Sequence, residues 1–236
     1  MRGTSWLARG EIHLPPGDDW LSASERAHAG RMRFAKRRTE FLVARWTAKQ
    51  AMGLVHPGVE PGRFEVRHHP SGAPEPYLDA APLDLGMSLT DRAGWAVCLL
   101  GPGRIGCDLE LVEPRSAAFV RDFFTPAERD RVGTDDLMAN LFWSAKESAL
   151  KVLRTGLRRD TRSVEVTADD APGPGRWAPL TVRASEGTVF PGWWTRYGAF
   201  LLTVAAEHDM PAPEALEEPP ALASAVPTHS WTARFT

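Results

Sequence analysis

An α+β fold built from two similar units facing each other across a cleft is what the sequence predicts. Three observations carry it. "WTAKQAM" at 46–52 is echoed by "WSAKESA" at 143–149. Each copy sits in a helical pattern and is followed by short strand-like runs, and Gly101-Pro102-Gly103 breaks the chain between them. Two such units side by side leave a crevice, the usual place for a ligand. The expected boundaries are an N-terminal unit over 1–103, a C-terminal unit over 104–206, and a tail over 207–236.

Each element has a local reason. "SASERAHAGRMRF" begins with cap-type Ser22 and Ser24. "AKRRTEFLVARWTAKQAMGL" places Phe41, Leu42, Arg45, Lys49 and Met52 at amphipathic helical spacing, with Gly53 and Pro57 as stop signals. Strands are expected at 64–69 ("FEVRHH"), 86–90 ("GMSLT") and 94–100 ("GWAVCLL"). The second unit opens on the strand "RIGCDLELV" (104–112). In "TPAERDRV", Thr125 is a cap, Pro126 the first helical residue and Glu128 the partner of a capping box. The helix "NLFWSAKESALKVL" (140–153) follows, then "RSVEVT", "LTVRA" and "WWTRYGAFLLTVAA" as strands. The stretch 169–179 is a loop, and the Pro-, Ala- and Glu-rich end is expected to be mobile.

Composition narrows the function. Apolar residues at 43 % and charged residues at 25 % fit an ordinary globular core, and a net charge of −2 argues against a protein that coats nucleic acid. Locally, residues 26–49 hold eight Lys/Arg against one Glu, so one face should attract anions. Cys98 and Cys107 lie in apolar strand-like runs and read as buried free thiols. With no apolar run near the roughly 18 residues of a membrane span, and no signal-peptide core, the expected setting is soluble and cytoplasmic.

The candidate chemistry is charge placed among apolar residues. Asp108 and Glu110, two apart on a strand, point to one face. Such a pair repels itself unless a cation lies between, and carboxylates with open positions suit Mg²⁺. On the 140–153 helix, Glu147 and Lys151 share the side opposite the stripe of Phe142, Ala145, Ala149, Val152 and Leu153. A solvated strand face and an ordinary i,i+4 ion pair remain open readings. Lys36, Arg37 and Arg38 form a basic cluster that is either solvated or a phosphate clamp. No Gly-rich phosphate loop is present, and His68-His69 reads as strand end and loop.

"GCDLE", "FFTPAER" and "WSAKESALK", in that order, resemble the 4′-phosphopantetheinyl transferases, in particular the larger pseudo-twofold kind. The resemblance runs from about Arg33 to Ala205. It implies transfer of phosphopantetheine from coenzyme A to a serine of an acyl or peptidyl carrier protein, with release of adenosine 3′,5′-bisphosphate. It also implies Mg²⁺ held by Asp108, Glu110 and Glu147. Glu147, or a water it orients, would take the serine proton, and Lys151 would neutralise phosphate charge with help from Lys146. Glu128 falls where the family carries an acidic residue, as a helix cap or a second proton acceptor. By the same likeness Ser88, Thr90 and Arg92 in "GMSLTDR" belong to the coenzyme site. One departure stands out: Asp91 occupies the place of a His that contacts the coenzyme 3′-phosphate in many members, with Arg92, Arg37 and Arg38 as substitutes for that contact. Glu75, in "APEPYL", stands where a basic residue is common.

The implied partners are coenzyme A and a small acidic carrier protein, with no nucleic acid, no membrane and a monomeric chain expected. A non-catalytic relative that binds nucleotide or carrier protein is the alternative reading. An RNA-binding role for residues 26–49 is disfavoured, because that helix commits its apolar positions to a core.

Overall fold

The first residues show no alternation of apolar and polar side chains, yet Ser5–Gly10 forms a strand, β1, buried along its whole length. The computed structural model describes residues 3–169, 173, 175–218 and 220–228. After β1 come α1 (Ala23–Arg31), α2 (Ala35–Val55), β2 (Phe64–His68), β3 (Pro74–Leu78), β4 (Ala81–Pro82), β5 (Gly86–Arg92) and β6 (Trp95–Gly101). The second half runs β7 (Ile105–Leu111), α3 (Ala117–Phe123), α4 (Pro126–Val132), α5 (Asp136–Val152), β8 (Val164–Ala168), β9 (Ala178–Ala184), β10 (Val189–Tyr197) and β11 (Phe200–Ala206). A short β12 (Glu214–Ala215) follows in the tail. This is an α+β chain, as the sequence predicts. Of the expected loop over 169–179, residues 170–172 and 174 lie outside the described residues.

One sheet has the order β12-β1-β6-β5, another β7-β11-β10-β9-β8, and a third, smaller one β2-β3-β4. Helix α2 packs on β1 and β6, and α5 packs on β7 and β11. The two larger sheets meet along β5 and β7, where side chains take over from the backbone ladder. The Cys107 amide donates to Ser88 Oγ at 3.0 Å and the Leu109 amide to Thr90 Oγ1 at 3.1 Å. This closes what would otherwise be two open edges. Gly101-Pro102-Gly103 is therefore a tight connection between abutting strands, with Gly103 at φ +67°, and not a loose hinge.

The two halves share an internal clasp. Ser22 caps α1, and the Ser22 amide donates back to Glu25 at 2.9 Å. The other Glu25 oxygen accepts from the Val66 amide at 3.0 Å. Lys49 of α2 ion-pairs with Glu25 at 2.9 Å and donates to the Phe64 carbonyl. In the second half Thr125 caps α4, its amide donates to Glu128 at 2.9 Å, and the Val166 amide donates to the other oxygen at 2.9 Å. Lys146 of α5 pairs with Glu128 at 2.7 Å and donates to the Val164 carbonyl at 2.5 Å. Glu128 is thus the cap of a capping box and the anchor of a buried lysine.

Three expectations change. Helix α2 continues through Gly53 to Val55, because one glycine inside a well-packed helix costs only about 1 kcal/mol. Helix α3 and β1 were not expected at all. The described part of the tail is docked: β12 pairs with β1, Leu222 is 1 % exposed, Arg9 ion-pairs with Glu217 at 2.6 Å, and Trp95 Nε1 donates to the Val226 carbonyl at 3.0 Å. Its few apolar residues find a groove that composition does not reveal. Both cysteines are buried free thiols, and burial pushes both pKa values up, that of Cys107 to about 11. No described helix is long and apolar enough to cross a membrane.

Candidate active site

The strand β7 divides its side chains by alternation. Ile105, Cys107, Leu109 and Leu111 enter the core beneath the sheet, leaving Asp108 and Glu110 on the face that meets α5. Gly106 is what lets that helix come close. A Cβ there would lie 2.0 Å from the Ser148 carbonyl oxygen, so no larger residue fits without moving backbone. The approach is fixed by hydroxyls: Ser144 Oγ donates to the Asp108 carbonyl at 3.1 Å, and Ser144 and Ser148 lie 2.9 and 2.8 Å from Thr203 Oγ1.

This docking brings Asp108, Glu110, Glu147 and Lys151 together. Lys151 Nζ donates to Asp108 Oδ1 at 3.0 Å and to the Cys107 carbonyl at 2.7 Å. Thr90 Oγ1 adds a 3.2 Å bond to the same carboxylate oxygen. Burial pushes the Glu147 carboxyl up to about 7, and the charges of Asp108 and Glu110 add to that while Lys151 opposes it. Burial followed by the Asp108 charge also raises Glu110, against Arg92, Arg115 and a Trp143 hydrogen bond. On Lys151 burial works downward, but Asp108, Cys107 and Glu147 outweigh it and raise its pKa, so the ammonium stays charged.

Glu110 has its own cradle. Trp143 Nε1 donates to Oε1 at 3.0 Å, while Arg92 and Arg115 approach Oε2 to 3.2 and 3.0 Å. Arg92 also pairs with Glu113, and Arg115 is braced by Asn140 at 2.7 Å. Phe119 and Phe123 of α3 each pack edge-on to Trp143 with ring centroids 5.0 Å apart, which explains why α3 exists at this point. Sequence reasoning missed Glu113, Arg115 and the role of Trp143. The loop after β7 has no periodicity to read, and only the position of Trp143 beside Glu147 hinted at it.

Among the described residues, no three His, Cys, Asp or Glu side chains are gathered tightly enough to hold a metal ion. Lys151 stands on Asp108 and two arginines stand on Glu110. The donor set nevertheless suits a hard divalent cation: Asp108 Oδ2, Glu110 Oε2 and Glu147 Oε1 are buried oxygens with no hydrogen bond.

The remaining expectations are placed elsewhere. Lys146 is fully buried on another side of α5, bonded to Glu128 and to the carbonyls of Thr161 and Val164. It does not reach the carboxylates, so a ligand contact does not fit its placement. Ser88 and Thr90 have their hydroxyls committed to β7. Arg92 is turned onto Glu110 and Glu113 rather than toward a nucleotide phosphate. Lys36 and Arg37 are exposed and lie 3.8 and 3.2 Å from Glu40, and Arg38 is exposed as well.

Two hollows adjoin the cluster. The larger, 550 Å³, runs between the halves and is lined in part by Glu75, Tyr77, Ser88, Arg104, Lys151 and Arg154. The smaller, 260 Å³, is lined in part by Glu40, Phe41, Arg45, His68 and Asp91. Gly72, Pro74 and Leu89 border both, so the hollows are neighbours.

Residues 104–178 match the family described as the 4′-phosphopantetheinyl transferase superfamily. A curated 4′-phosphopantetheinyl transferase of Bacillus subtilis is 28 % identical over 134 residues, 55 % of this chain. The chain spans 56 % of that relative's length. Among solved structures, a holo-[acyl-carrier-protein] synthase of Thermotoga maritima matches at 20 % identity with a TM-score of 0.32, over 52 % of this chain and 74 % of that one. The resemblance drawn from the three motifs is supported at the level of the superfamily; its larger two-unit subtype is not distinguished by these matches.

Proposed function

We propose that this chain, whose residues 104–178 match the 4′-phosphopantetheinyl transferase superfamily, moves 4′-phosphopantetheine from coenzyme A to a serine of an acyl or peptidyl carrier protein. The observation that carries the reading is the meeting of Asp108, Glu110 and Glu147 around a charged Lys151, which itself lines the larger hollow. In that step the serine oxygen bonds to the phosphorus next to the pantetheine, and the bond from that phosphorus to the bridging oxygen breaks. Adenosine 3′,5′-bisphosphate departs with the electron pair.

Asp108, Glu110 and Glu147 are the residues that would hold Mg²⁺, which when bound supplies positive charge to the pyrophosphate oxygens. Lys151, anchored on the Cys107 carbonyl and Asp108 at 2.7 and 3.0 Å, presents a fixed ammonium to the same phosphates. Glu147, alone or through a water it orients, accepts the serine proton. Trp143 and Arg115 keep Glu110 from rotating away. The protein would act in the cytoplasm as a monomer.

The test mixes the protein with an apo carrier protein, coenzyme A and Mg²⁺ and weighs the carrier. One added phosphopantetheine is expected, with none when Mg²⁺ is chelated. No gain with several carriers would sink the proposal. A non-catalytic relative that only binds is the second reading. It is favoured by the arginine pair on Glu110, which would have to yield for a metal to use that carboxylate.

A further inference from the structure

The two neighbouring hollows differ in charge. The larger has Arg104, Lys151 and Arg154 on its walls, against Glu75 and Asp84. The smaller has two carboxylates, Glu40 and Asp91, and one cation, Arg45. That cation is already engaged: its Nη2 donates to His68 Nε2 at 2.8 Å, and Glu25 lies 3.6 Å from its Nε. Leu89 and Asp91, two apart on β5, point into the smaller hollow together. Two cations act on the Asp91 carboxylate, Lys151 and Arg37, against the charges of Glu40 and Asp108, and each of those cations already has a carboxylate partner. Arg92 lies on Glu110 and Glu113, and Lys36 and Arg37 pair with Glu40. None of the three, nor Arg38, is among the residues lining either hollow.

A pyrophosphate fits the larger hollow, beside Lys151. A sugar end of the same molecule that reached past Gly72 and Leu89 would meet carboxylates. Carboxylates accept hydrogen bonds from ribose hydroxyls and repel a phosphate in their place. We infer that Asp91 and Glu40 make this chain tolerant of donors whose ribose carries free hydroxyls, so that 3′-dephospho-coenzyme A serves about as well as coenzyme A. This rests on the transfer reading above. With the dephospho donor the serine–phosphorus bond forms and the bond to the adenylate breaks in the same way, and the leaving group is AMP. The departure at Asp91 is then a determinant of donor choice, not a handicap awaiting compensation by arginines.

The experiment measures kcat/KM for both donors with one apo carrier protein, reads AMP against adenosine 3′,5′-bisphosphate, and measures the binding of each donor by calorimetry. The expected kcat/KM ratio is within about threefold of unity. Asp91→His should move it toward coenzyme A by about tenfold, and Asp91→Asn by a smaller step in the same direction, the scale of removing one unit charge near a partly screened phosphate. A preference for coenzyme A of about a hundredfold in the unaltered protein, or a ratio that neither substitution moves, overturns the inference. No transfer from either donor, with binding that still favours or equals the dephospho form, rejects the transfer reading and leaves the donor inference standing. Binding that strongly favours coenzyme A overturns the inference whatever the rates, and binding of neither donor overturns both.

Discussion

Helices α2 and α5 repeat one design up to a point and then part. Each buries a lysine completely, Lys49 and Lys146, in a clasp with a capping glutamate and the first carbonyl of a following strand. One residue after the lysine, α5 carries Glu147 where α2 has Gln50. Five residues after it, α5 carries Lys151 where α2 has Leu54, 41 % exposed. The shared lysine is therefore architecture, and the residues that differ are the ones beside Asp108 and Glu110. The W-x-A-K portion of the motif holds two elements together; the Glu and the second Lys bring charge to Asp108 and Glu110, and the Lys also lines the larger hollow.

The largest expected effect tests the shared part. A buried ion pair broken at one partner leaves the other charge uncompensated, at a cost of about 3–5 kcal/mol. Lys49→Met and Lys146→Met should both lose that much in urea unfolding, although only the second lies in the half that carries the motif match. A Lys146→Met protein that kept its stability and lost transfer would return Lys146 to the chemistry and break the comparison.

Next in size is the pair of exchanges at the residue after the lysine. Glu147→Gln should lower transfer by about 10²- to 10⁴-fold, the range for removing a positioned acid–base group, with unfolding unchanged. Gln50→Glu, the reverse change in the other half, should leave transfer as it was. Equal losses from both would mean that the distinction between the halves is wrong.

How much of this the sequence made legible depends on whether the signal was local. The capping box of Thr125 and Glu128 could be read from spacing alone, and so could the alternation that puts Asp108 and Glu110 on one face. The mate of Glu128 could not. Lys146 and Glu147 are neighbours in sequence, but successive residues on a helix diverge by about 100°. Which of them meets Asp108 and Glu110 depends on how α5 is rolled against β7. That roll is set by Gly106 and by the Ser144, Ser148 and Thr203 hydroxyls, contacts between segments far apart in the chain. The strand β1 escaped notice because it is buried on both faces and so shows no alternation. The arginine cradle of Glu110 escaped because Arg92 and Arg115 come from a strand end and an irregular loop, where no period applies.

The smallest effect separates charge that is merely present in a half from charge that is placed. Arg37 belongs to the basic run that made the N-terminal half look like an anion site. Its side chain is 77 % exposed and pairs with Glu40 at 3.2 Å, one turn along the same helix. Such a pair stabilises by only about 0.2–1 kcal/mol, because water screens it and two long side chains must be ordered to form it. Removing it with Arg37→Ala should leave the unfolding midpoint nearly unchanged. Because Arg37 lines neither hollow, KM for the donor should change by less than about threefold, through long-range attraction alone, and that change should fade as salt is raised. A large, salt-insensitive rise in KM would mean that Arg37 leaves Glu40 to grip the donor directly. The basic run would then be part of the site, and the first half would contribute chemistry as well as architecture.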